Sequence, residues 1–555
     1  MAAEHMTLSP GKRLLAIGAK PGIGKTSFLR IPTLSGTPQK FPKVYTNVDF
    51  GYQSSLGGFA SARVEIPVNT WLSAGGNLDF YTNRGVLFGP SASYSYENNA
   101  TTLSGSVNTG FIHDYGTSHR NYDYFANEVP SDRWFVQERH IQTIQDTVSV
   151  TSCMNMMSDP MMMRDFRHKY YVTDEYPDNY VEVTSPIGQD VVVSVLTRYA
   201  ARGVDYATIQ RLPELRIDYL TNPLPFAGLY QTGYLMAVNT DYTIDGNHYY
   251  NNRAHMYYGL QRPFDLGPWL NFTPKIGGFV GHYDKTWNID GDTITDAGSA
   301  THYIGELGAD LSASFYSQWD YKNATWDIDG LRHIVRPVVY WRRYGTDGDN
   351  KQATIDLDSD AYPVQMPSID LRDMESNDLY YLYKPQLVRS GIENVLQTRD
   401  GTSSRDLATF NIYHDSYISG GEKDCNFVQT SLSPIKWLDL GFENGFYNDP
   451  LTSAWYRGRI TLKSGDLWRV NFYADYYHNN FEEYTSSYFY QVARNWGVGT
   501  SVSYDAVEGD FNSVSFSVME RLGDFWKIRY RVARTKNDLR EDNVTFSITV
   551  AGERF

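Results

Sequence analysis

The segment W-R-V-N-F-Y-A-D-Y, residues 468–476, alternates between two kinds of side chain along its whole length. Its even positions carry Trp, Val, Phe, Ala and Tyr, and its odd positions carry Arg, Asn, Tyr and Asp. A period of two residues is the signature of a β-strand that has one apolar and one polar face. The same alternation runs through residues 498–505, 514–518, 526–532 and 544–550. The C-terminal third of the chain is therefore predicted to be a series of β-strands.

Tryptophan residues mark the starts of these predicted strands. Trp437, Trp468, Trp496 and Trp526 recur at intervals of about 30 residues, which fits one hairpin of two strands, a tight turn and a longer loop. Trp269 repeats the arrangement upstream. A soluble β-sandwich with core tryptophans is the alternative. Full charges on the polar face and tryptophans at strand ends favour a membrane β-barrel, in which these five tryptophans form an interfacial aromatic girdle.

The composition of the 555-residue chain agrees with a barrel and argues against other classes of protein. A net charge of -15 disfavours a nucleic-acid-binding protein, which requires a basic surface. The mean hydropathy of -0.46 and the lack of a charge-free apolar stretch of about 20 residues exclude a helical membrane protein. A barrel keeps a low mean hydropathy because polar and apolar residues alternate, and its interfaces are rich in aromatic residues.

Alternation of this kind also appears upstream, beginning with residues 44–52. The polar stretches that interrupt it, residues 113–132, 284–302 and 346–376, are predicted to be surface loops. We expect an all-β chain with one large antiparallel transmembrane barrel of about 24–26 strands, at about 20 residues for each strand and its connection. A barrel of that width encloses a lumen too wide for its own side chains to fill, so it is either an open channel or plugged.

Residues 19–26, A-K-P-G-I-G-K-T, match a relaxed phosphate-binding loop. In such a site Lys25 reaches the outer phosphates and Thr26 binds Mg²⁺. A helix must follow the loop, but Pro32 interrupts the chain after one turn, and no βαβ pattern comes later. A nucleotide-binding protein is therefore only a remote alternative.

Six of the 13 methionines fall within residues 154–163. One interpretation is a thioether site for Cu(I). The favoured interpretation is a strand end and a turn around residues 158–160, with methionine as flexible apolar filler facing lipid or a plug, because His168 is the one histidine nearby. We find no catalytic motif and predict no enzyme activity, no cofactor and no metal site.

The two cysteines, Cys153 and Cys425, are too few for a disulfide framework or a thiolate metal site, and the sequence leaves open whether they pair. The first 13 residues contain no apolar segment typical of a secretory signal. For an exported barrel, this predicts a truncated chain or a misassigned start.

Several segments, taken in order, resemble LptD, the lipopolysaccharide-assembly barrel of the bacterial outer membrane. They are D-R-W at 132–134 with His140, S-D-P at 158–160 with D-F at 165–166, R-L-P-E-L-R-I-D-Y at 211–219, R-H-I-V-R-P at 332–337 and N-V-L-Q-T-R at 394–399. F-L-R-I-P at 28–32 is similar to the end of the family's periplasmic domain. The resemblance implies that residues 1–40 are a short remnant of a periplasmic β-jellyroll and that residues 41–555 are the outer-membrane barrel.

The resemblance also implies a function, a location and a set of partners. Such a barrel lies in the bacterial cell outer membrane and inserts lipopolysaccharide into the outer leaflet through a lateral seam between its first and last strands. Its partners are an LptE-like lipoprotein plug, a periplasmic LptA-like bridge and the barrel-assembly machinery. The domain that docks the bridge, and the family's cysteine pairing between that domain and the barrel, are missing here.

By the same resemblance, Val48, Pro67, Phe546 and Ile548 belong to the lateral seam, and Phe555 is the C-terminal assembly signal. Proline cannot donate a hydrogen bond to a neighbouring strand, so a proline in an early strand weakens closure of the barrel. Pro67 occupies the family's proline position in the second strand, whereas Val48 replaces the proline of the first strand. The alternative from another class is a passive outer-membrane porin or uptake channel, which needs no opening seam.

Overall fold

A computed structural model describes most of the chain. Side chains are described for residues 46–116, 128–167, 178–200, 210–241, 248–288, 294–346, 366–372, 386–418, 423–448, 452–478, 481–523, 526–536 and 543–552. For the remaining residues of the strands and of the 3₁₀ turn given below, the backbone alone is described. The predicted assembly signal, Phe555, and the predicted nucleotide-site residue Lys25 lie outside the described residues.

Strands dominate the described residues, with one short helix and one 3₁₀ turn. The helix is α1, Met161–Phe166, and the 3₁₀ turn is Leu371–Asp373. The strands are β1 His5–Ser9, β2 Arg13–Ala19, β3 Gly22–Ile23, β4 Thr26–Ser27, β5 Ile31–Gly36, β6 Tyr45–Gln53, β7 Gly57–Pro67, β8 Leu72–Tyr81, β9 Gly85–Glu97, β10 Thr101–His113, β11 Asp132–Ile144, β12 Val148–Met157, β13 Tyr180–Ile187, β14 Val191–Arg198, β15 Gln210–Pro223, β16 Tyr230–Ile244, β17 Asn247–Gln261, β18 Phe264–Asp265, β19 Leu270–Asp290, β20 Thr293–Ala313, β21 Phe315–Asn323, β22 Ile328–Thr346, β23 Gln386–Asp400, β24 Ser403–Ser419, β25 Cys425–Ile435, β26 Leu438–Asn448, β27 Leu451–Ser464, β28 Trp468–Tyr477, β29 Phe481–Ala493, β30 Trp496–Asp505, β31 Asp510–Leu522, β32 Trp526–Lys536 and β33 Asp542–Gly552.

Strands β6 to β33 form one closed antiparallel barrel in which each strand pairs with the next along the chain, and β33 pairs with β6. Strands β17 and β18 both pair with β19, so together they form one interrupted strand of the wall. In the same way, β20 and β21 both pair with β22 and form one interrupted strand. Within the described residues the barrel therefore has 26 strands. This confirms the predicted fold class, and the count falls within the predicted range.

The strands upstream of the barrel form two small sheets. Strands β1, β2 and β5 make a three-stranded sheet, and β3 pairs with β4. The predicted phosphate loop overlaps this β3–β4 pair, in which Ile23 is opposite Thr26, and the three residues between β4 and β5 are too few for the helix that a nucleotide site requires. The division between residues 1–40 and 41–555 stays a prediction.

The two ends of the barrel differ in the length of their connections. Both ends of the barrel chain, residues 45 and 552, lie at one end with short connections such as 98–100 and 145–147. We call this the turn end. The opposite end, which we call the loop end, carries the long connections 114–131, 158–179 and 347–385. Outer-membrane barrels have short periplasmic turns and longer extracellular loops, so the loop end is expected to face outward from the cell.

Alternation places large apolar side chains on the outer face of the wall, as in Phe50, Phe88, Phe516 and Val532, which are all exposed. The lumenal face of the same strands carries polar residues and the buried clusters described below. Among the described residues, no helix is both long and apolar enough to cross a membrane.

The prediction of a surface loop over residues 284–302 is wrong. Strands β19 and β20 continue to Asp290 and from Thr293, and their ladder pairs Asn288 with Thr295. The polar composition of this stretch does not indicate a loop. A hairpin that extends past the membrane into water satisfies its own backbone hydrogen bonds, so its outer face need not be apolar.

Candidate functional site

The junction between the first and last barrel strands closes through seven residue pairs, from Thr545 opposite Gln53 to Ala551 opposite Asn47. The flanking ladders are longer, with eleven pairs between β32 and β33 and nine between β6 and β7. The ladder between β12 and β13, with five pairs, is shorter still. The junction is therefore a complete but short ladder, and it is not the shortest one in the described wall.

Three of the four predicted seam residues lie on the outer face of this junction. Val48 is opposite Val550, Phe546 is opposite Tyr52, and Ile548 is opposite Phe50. Phe50, Tyr52 and Phe546 are exposed on that face. The outer side of the junction is therefore a continuous apolar strip, as a surface in contact with acyl chains requires.

Pro67 is not at the junction itself. It is the last residue of β7, opposite Ser73 of β8, and it lies two residues beyond Glu65, which pairs with Tyr45 at the start of β6. The missing N–H of Pro67 therefore affects the turn end of the second strand and leaves the described β6–β7 ladder intact. Its role in seam opening stays a prediction.

The lumenal side of the junction is polar. The Thr549 hydroxyl donates a hydrogen bond to the Asp49 carboxylate at 3.1 Å across the junction. At the loop end, the Ser54 N–H donates to the Val544 carbonyl at 3.1 Å, and the Ser54 hydroxyl donates to the Asn543 side chain at 2.9 Å. The junction thus separates a polar lumenal face from an apolar outer face across a single layer of backbone.

A short helical segment lies inside the barrel at the loop end, on the wall next to the junction. Helix α1 follows β12 and buries Met162, Met163 and Phe166 against lumenal side chains of β7 to β12. The buried apolar residues of this cluster are Leu56, Tyr81, Leu87, Ile112, Phe135, Met157, Met162, Met163 and Phe166. Since Leu56 belongs to the β6–β7 connection, the cluster reaches the strand that forms the junction.

The methionine-rich run is thereby explained as packing. Met156 is exposed on the outer face, whereas Met157 at the end of β12 and Met161, Met162 and Met163 of α1 are buried. Residues 158–160 form the predicted bend after the strand, but Met161 then starts a helix rather than continuing a turn. Within the described residues, no group of three His, Cys, Asp or Glu side chains could hold a metal ion.

Arg133 ties α1 to the wall through three carboxylates. Its Nε and Nη2 donate to the two oxygens of Asp159 at 3.0 and 2.7 Å. Its Nη1 donates to Asp114 at 3.0 Å and to Asp165 at 2.8 Å. The Arg133 side chain is fully buried (0% exposed), so this network has little water to compete with it.

Two further arginines complete the network. Arg84, in the β8–β9 connection, pairs with Asp114 at 2.6 Å and with Asp165 at 3.0 Å, and Arg167 pairs with Asp79 at 2.7 Å. Burial alone would raise the pKa of the Asp165 carboxyl, but Arg133 and Arg84 outweigh burial and hold that pKa below its ordinary value. Asp165 therefore stays ionised in its apolar surroundings.

A second loop segment also packs inside the wall. Within residues 366–372, Leu371 packs against lumenal side chains that include Tyr234, Tyr257 and Phe279, and Ile369 is also buried. Arg342 donates to Asp370 at 2.8 Å and to Asp310 at 2.6 Å. Burial acts to raise the pKa of Asp370, but Arg342 and Lys275 keep it below its ordinary value. Two connections from the loop end therefore fold inward and line the lumen.

The tryptophans predicted to form a girdle all lie at the turn end. Trp269 and Trp437 are in connections, and Trp468, Trp496 and Trp526 are the first residues of β28, β30 and β32. Trp269, Trp437 and Trp496 are exposed, and the other two are half-buried. Their interfacial role stays a prediction.

The sequence leaves open whether the cysteines pair; Cys153 in β12 and Cys425 in β25 are both buried and do not form a disulfide with each other. The residues that the sequence did not predict as a site are Arg84, Asp114, Asp370 and Arg342. They are scattered in the chain and meet only because the loops fold inward, although Arg133, Asp159 and Asp165 belong to segments that carry the family resemblance.

Comparison with known proteins gives distant structural matches. The siderophore receptor PirA from Pseudomonas aeruginosa is 11% identical with a TM-score of 0.34, over 94% of this chain and 82% of PirA. The ferric-catecholate import receptor Fiu from E. coli K12, in its open form, is 9% identical with a TM-score of 0.30, over 97% of this chain and 86% of Fiu. No curated protein matches the chain.

A family model described as "LptD: LPS transport system D" matches residues 131–363. The matched segment runs from the residue before β11, through β22 and into the connection that follows it. It contains Arg133, helix α1 and Arg342. It does not extend to β6 or β33.

Proposed function

We propose, from the premise that this chain is LptD-like, that the barrel is a translocon that inserts lipopolysaccharide into the outer leaflet of the bacterial outer membrane. The observation that carries the proposal is the family match over residues 131–363, which includes Arg133 and helix α1. A family match together with a large β-barrel supports a role in outer-membrane lipopolysaccharide assembly. The exit route and the partners are the finer part of the proposal.

The proposed exit is the β6–β33 junction. Lipopolysaccharide has apolar acyl chains and a polar saccharide, so a route between lumen and bilayer must offer a polar inner side and an apolar outer side. Asp49 and Thr549 supply the first, and Phe50, Phe546 and Ile548 supply the second. Opening seven residue pairs would let the acyl chains pass into the bilayer while the saccharide stays in the lumen.

The proposed partners follow from the width and the ends of the barrel. A lumen enclosed by 26 strands supports an LptE-like lipoprotein plug entering from the turn end. In this proposal, residues 1–40 are the remnant of the domain that docks an LptA-like bridge, and residues 41–555 are the barrel. The barrel-assembly machinery would recognise Phe555, and the tryptophans of the turn end would form the inner interfacial girdle.

A disulfide across the junction tests this proposal. Asp49 and Thr549 are directly opposite each other and their side chains touch, so Asp49→Cys with Thr549→Cys suits a cross-strand disulfide. Cys153→Ser and Cys425→Ser remove competing thiols. The oxidised variant is expected to stop lipopolysaccharide from reaching the cell surface, and a reductant is expected to restore delivery. Surface lipopolysaccharide is measured after the wild-type copy is shut off.

The matched control is Ser501→Cys with Ser515→Cys, an opposed pair in the continuous wall between β30 and β31. Its disulfide should leave delivery unchanged, because that ladder has no need to open. If oxidised cells with the junction locked still display lipopolysaccharide, the exit is elsewhere. If they also pass small solutes normally and grow, the barrel is a passive channel and the translocon proposal fails.

A further inference from the structure

A group of cations lines the lumen one strand away from the junction. Arg521 of β31 and Lys527, Arg529 and Arg531 of β32 make up this group, which we call the basic sector. Arg521 is opposite Lys527, so the four side chains form one continuous column. The column starts near the turn end, where β32 begins, and rises toward mid-wall.

The strand register shows that the basic sector faces the lumen. Its neighbours in β32, Tyr530 and Val532, pair with Ile548 and Phe546, which belong to the apolar outer face. Arg529 and Arg531 alternate with them and pair with Thr549 and Ser547, whose side chains share the lumenal face with Asp49. Both arginines are exposed on this face of the wall.

Arg529 and Arg531 differ from the buried lumenal arginines in their charge partners. Arg133, Arg342 and Arg389 are buried, and each pairs with at least one carboxylate. Among the residues that the structure describes, no carboxylate forms an ion pair with Arg529 or Arg531. Asp49 lies two strands away, opposite Thr549, which in turn is opposite Arg529.

Four neighbouring cations on one face repel one another, so the basic sector is unfavourable for folding by itself. It also stands out in a chain whose net charge is -15. Exposed arginines without ion-pair partners hold their donors free for planar, bidentate recognition of phosphate or carboxylate groups. The column also runs up the wall from the turn end, parallel to the junction and one strand away from it. Its placement therefore suits an anionic group that moves along the wall before it leaves sideways.

We propose that Arg529 and Arg531, with Arg521 and Lys527 below them, bind the phosphate groups of the glycolipid as it passes through the lumen to the junction. This inference rests on the proposed function, since it assumes that a glycolipid enters the lumen. It adds the part of the molecule that is recognised and the side chains that recognise it.

The test uses the full chain in detergent and measures binding of a rough-type lipopolysaccharide and of the same material after dephosphorylation. Arg529→Gln with Arg531→Gln removes two exposed cations without disturbing a buried contact. It should weaken binding of the phosphorylated glycolipid about tenfold or more, because charge-assisted hydrogen bonds are lost. Binding of the dephosphorylated glycolipid should not change, and the salt dependence of binding should become less steep.

The matched control removes two other exposed cations, by Arg457→Gln in the lumenal face of β27 and Lys436→Gln in a turn-end connection. Arg457 already has a partner, Asp475, at 3.8 Å, and Lys436 has Asp327 at 3.0 Å. An equal loss of binding in this control would mean that overall charge matters and the basic sector does not. An equal loss for the phosphorylated and dephosphorylated glycolipids would also overturn the inference.

Two outcomes separate this inference from the proposed function. If the junction lock blocks surface delivery but the Arg529 and Arg531 variant binds and delivers normally, the basic sector alone is wrong. If the variant alters only the selectivity of the barrel for small anions, with glycolipid binding unchanged in every chain, the sector serves a channel and the inference fails.

Discussion

Arg133 and Asp159 form a bidentate ion pair inside the barrel, with N–O distances of 3.0 and 2.7 Å and no exposure of the arginine. This pair anchors helix α1 to the wall formed by the first strands. The junction that those strands make with β33 depends on seven residue pairs and on exposed polar contacts such as that of Ser54 with Asn543. One side of the junction is therefore braced by a buried ionic cluster, whereas the junction itself is held mainly by backbone hydrogen bonds.

Removing the Arg133 side chain is predicted to release α1 from the wall. Arg133→Ala leaves Asp159, Asp114 and Asp165 buried near one another with less compensating charge, and breaking such a buried pair costs about 3–5 kcal/mol. Hydrogen exchange of residues 161–166 should accelerate accordingly. Arg133→Lys should give an intermediate effect, because an ammonium group cannot span both oxygens of Asp159 and still reach the other carboxylates.

The control for this prediction is Arg457→Ala, which removes a half-exposed arginine from a single 3.8 Å pair with Asp475. Exchange of residues 161–166 should be unchanged in this variant, because exposed ion pairs contribute little to stability. Equal protection in wild type and Arg133→Ala would show that apolar packing alone holds α1 in place.

The depressed pKa of Asp165 predicts how α1 responds to acid. A carboxyl whose pKa is lower in the folded protein stabilises the fold fully above its ordinary pKa of about 4, and that contribution is lost as the pH falls through the folded value. Docking of α1 should therefore be constant between pH 7 and 5 and weaken only in stronger acid. Hydrogen exchange of residues 161–166, corrected for the intrinsic rate at each pH, measures this. Asp165→Asn should remove most of the acid dependence, and a loss of protection near pH 6 would contradict the assignment.

Much of the barrel could be predicted from local pattern, because each strand has a lipid-facing row and a lumen-facing row. Residues 468–476 and 544–550 were predicted as strands and lie within β28 and β33. Trp468, Trp496 and Trp526 were predicted to open strands, and each is the first residue of one. Polar composition is the poorer guide, since it predicts a loop over residues 284–302, where strands β19 and β20 continue.

The lumenal network could not be predicted from local pattern. Helix α1 has six residues, which is too short for a 3.6-residue periodicity to be visible. The partners of Arg133 come from two different connections, 114–131 and 158–179, so no spacing in the sequence relates them. Whether a charged residue lies in the lumen or on a loop depends on which loops fold inward, and that depends on contacts between distant parts of the chain.

Asp370→Asn is predicted to release the second inward segment without affecting the first. Asp370 accepts from Arg342 at 2.8 Å and pairs with Lys275 at 3.3 Å, so the substitution removes the charge that joins residues 366–372 to the wall. Hydrogen exchange should accelerate in residues 366–372 and stay constant in residues 161–166, because the two clusters share no residue. Faster exchange in both segments would mean that the inward loops dock as a single unit.

Gly51 is predicted to control how tightly the junction closes. A methyl group added to Gly51 would overlap the Phe546 carbonyl oxygen on β33 and would lie 2.8 Å from the Phe59 ring. Gly51→Ala must therefore push β6 and β33 apart and also shift the Phe59 ring, at a cost of about 1–3 kcal/mol. Hydrogen exchange should accelerate at the amides of residues 546–550 and remain unchanged in the wall between β28 and β31.

The matched control is Gly278→Ala in β19, where an added methyl group meets nothing within 4 Å. If the amides of residues 546–550 exchange equally slowly in both variants, the close approach at Gly51 does not limit closure of the junction.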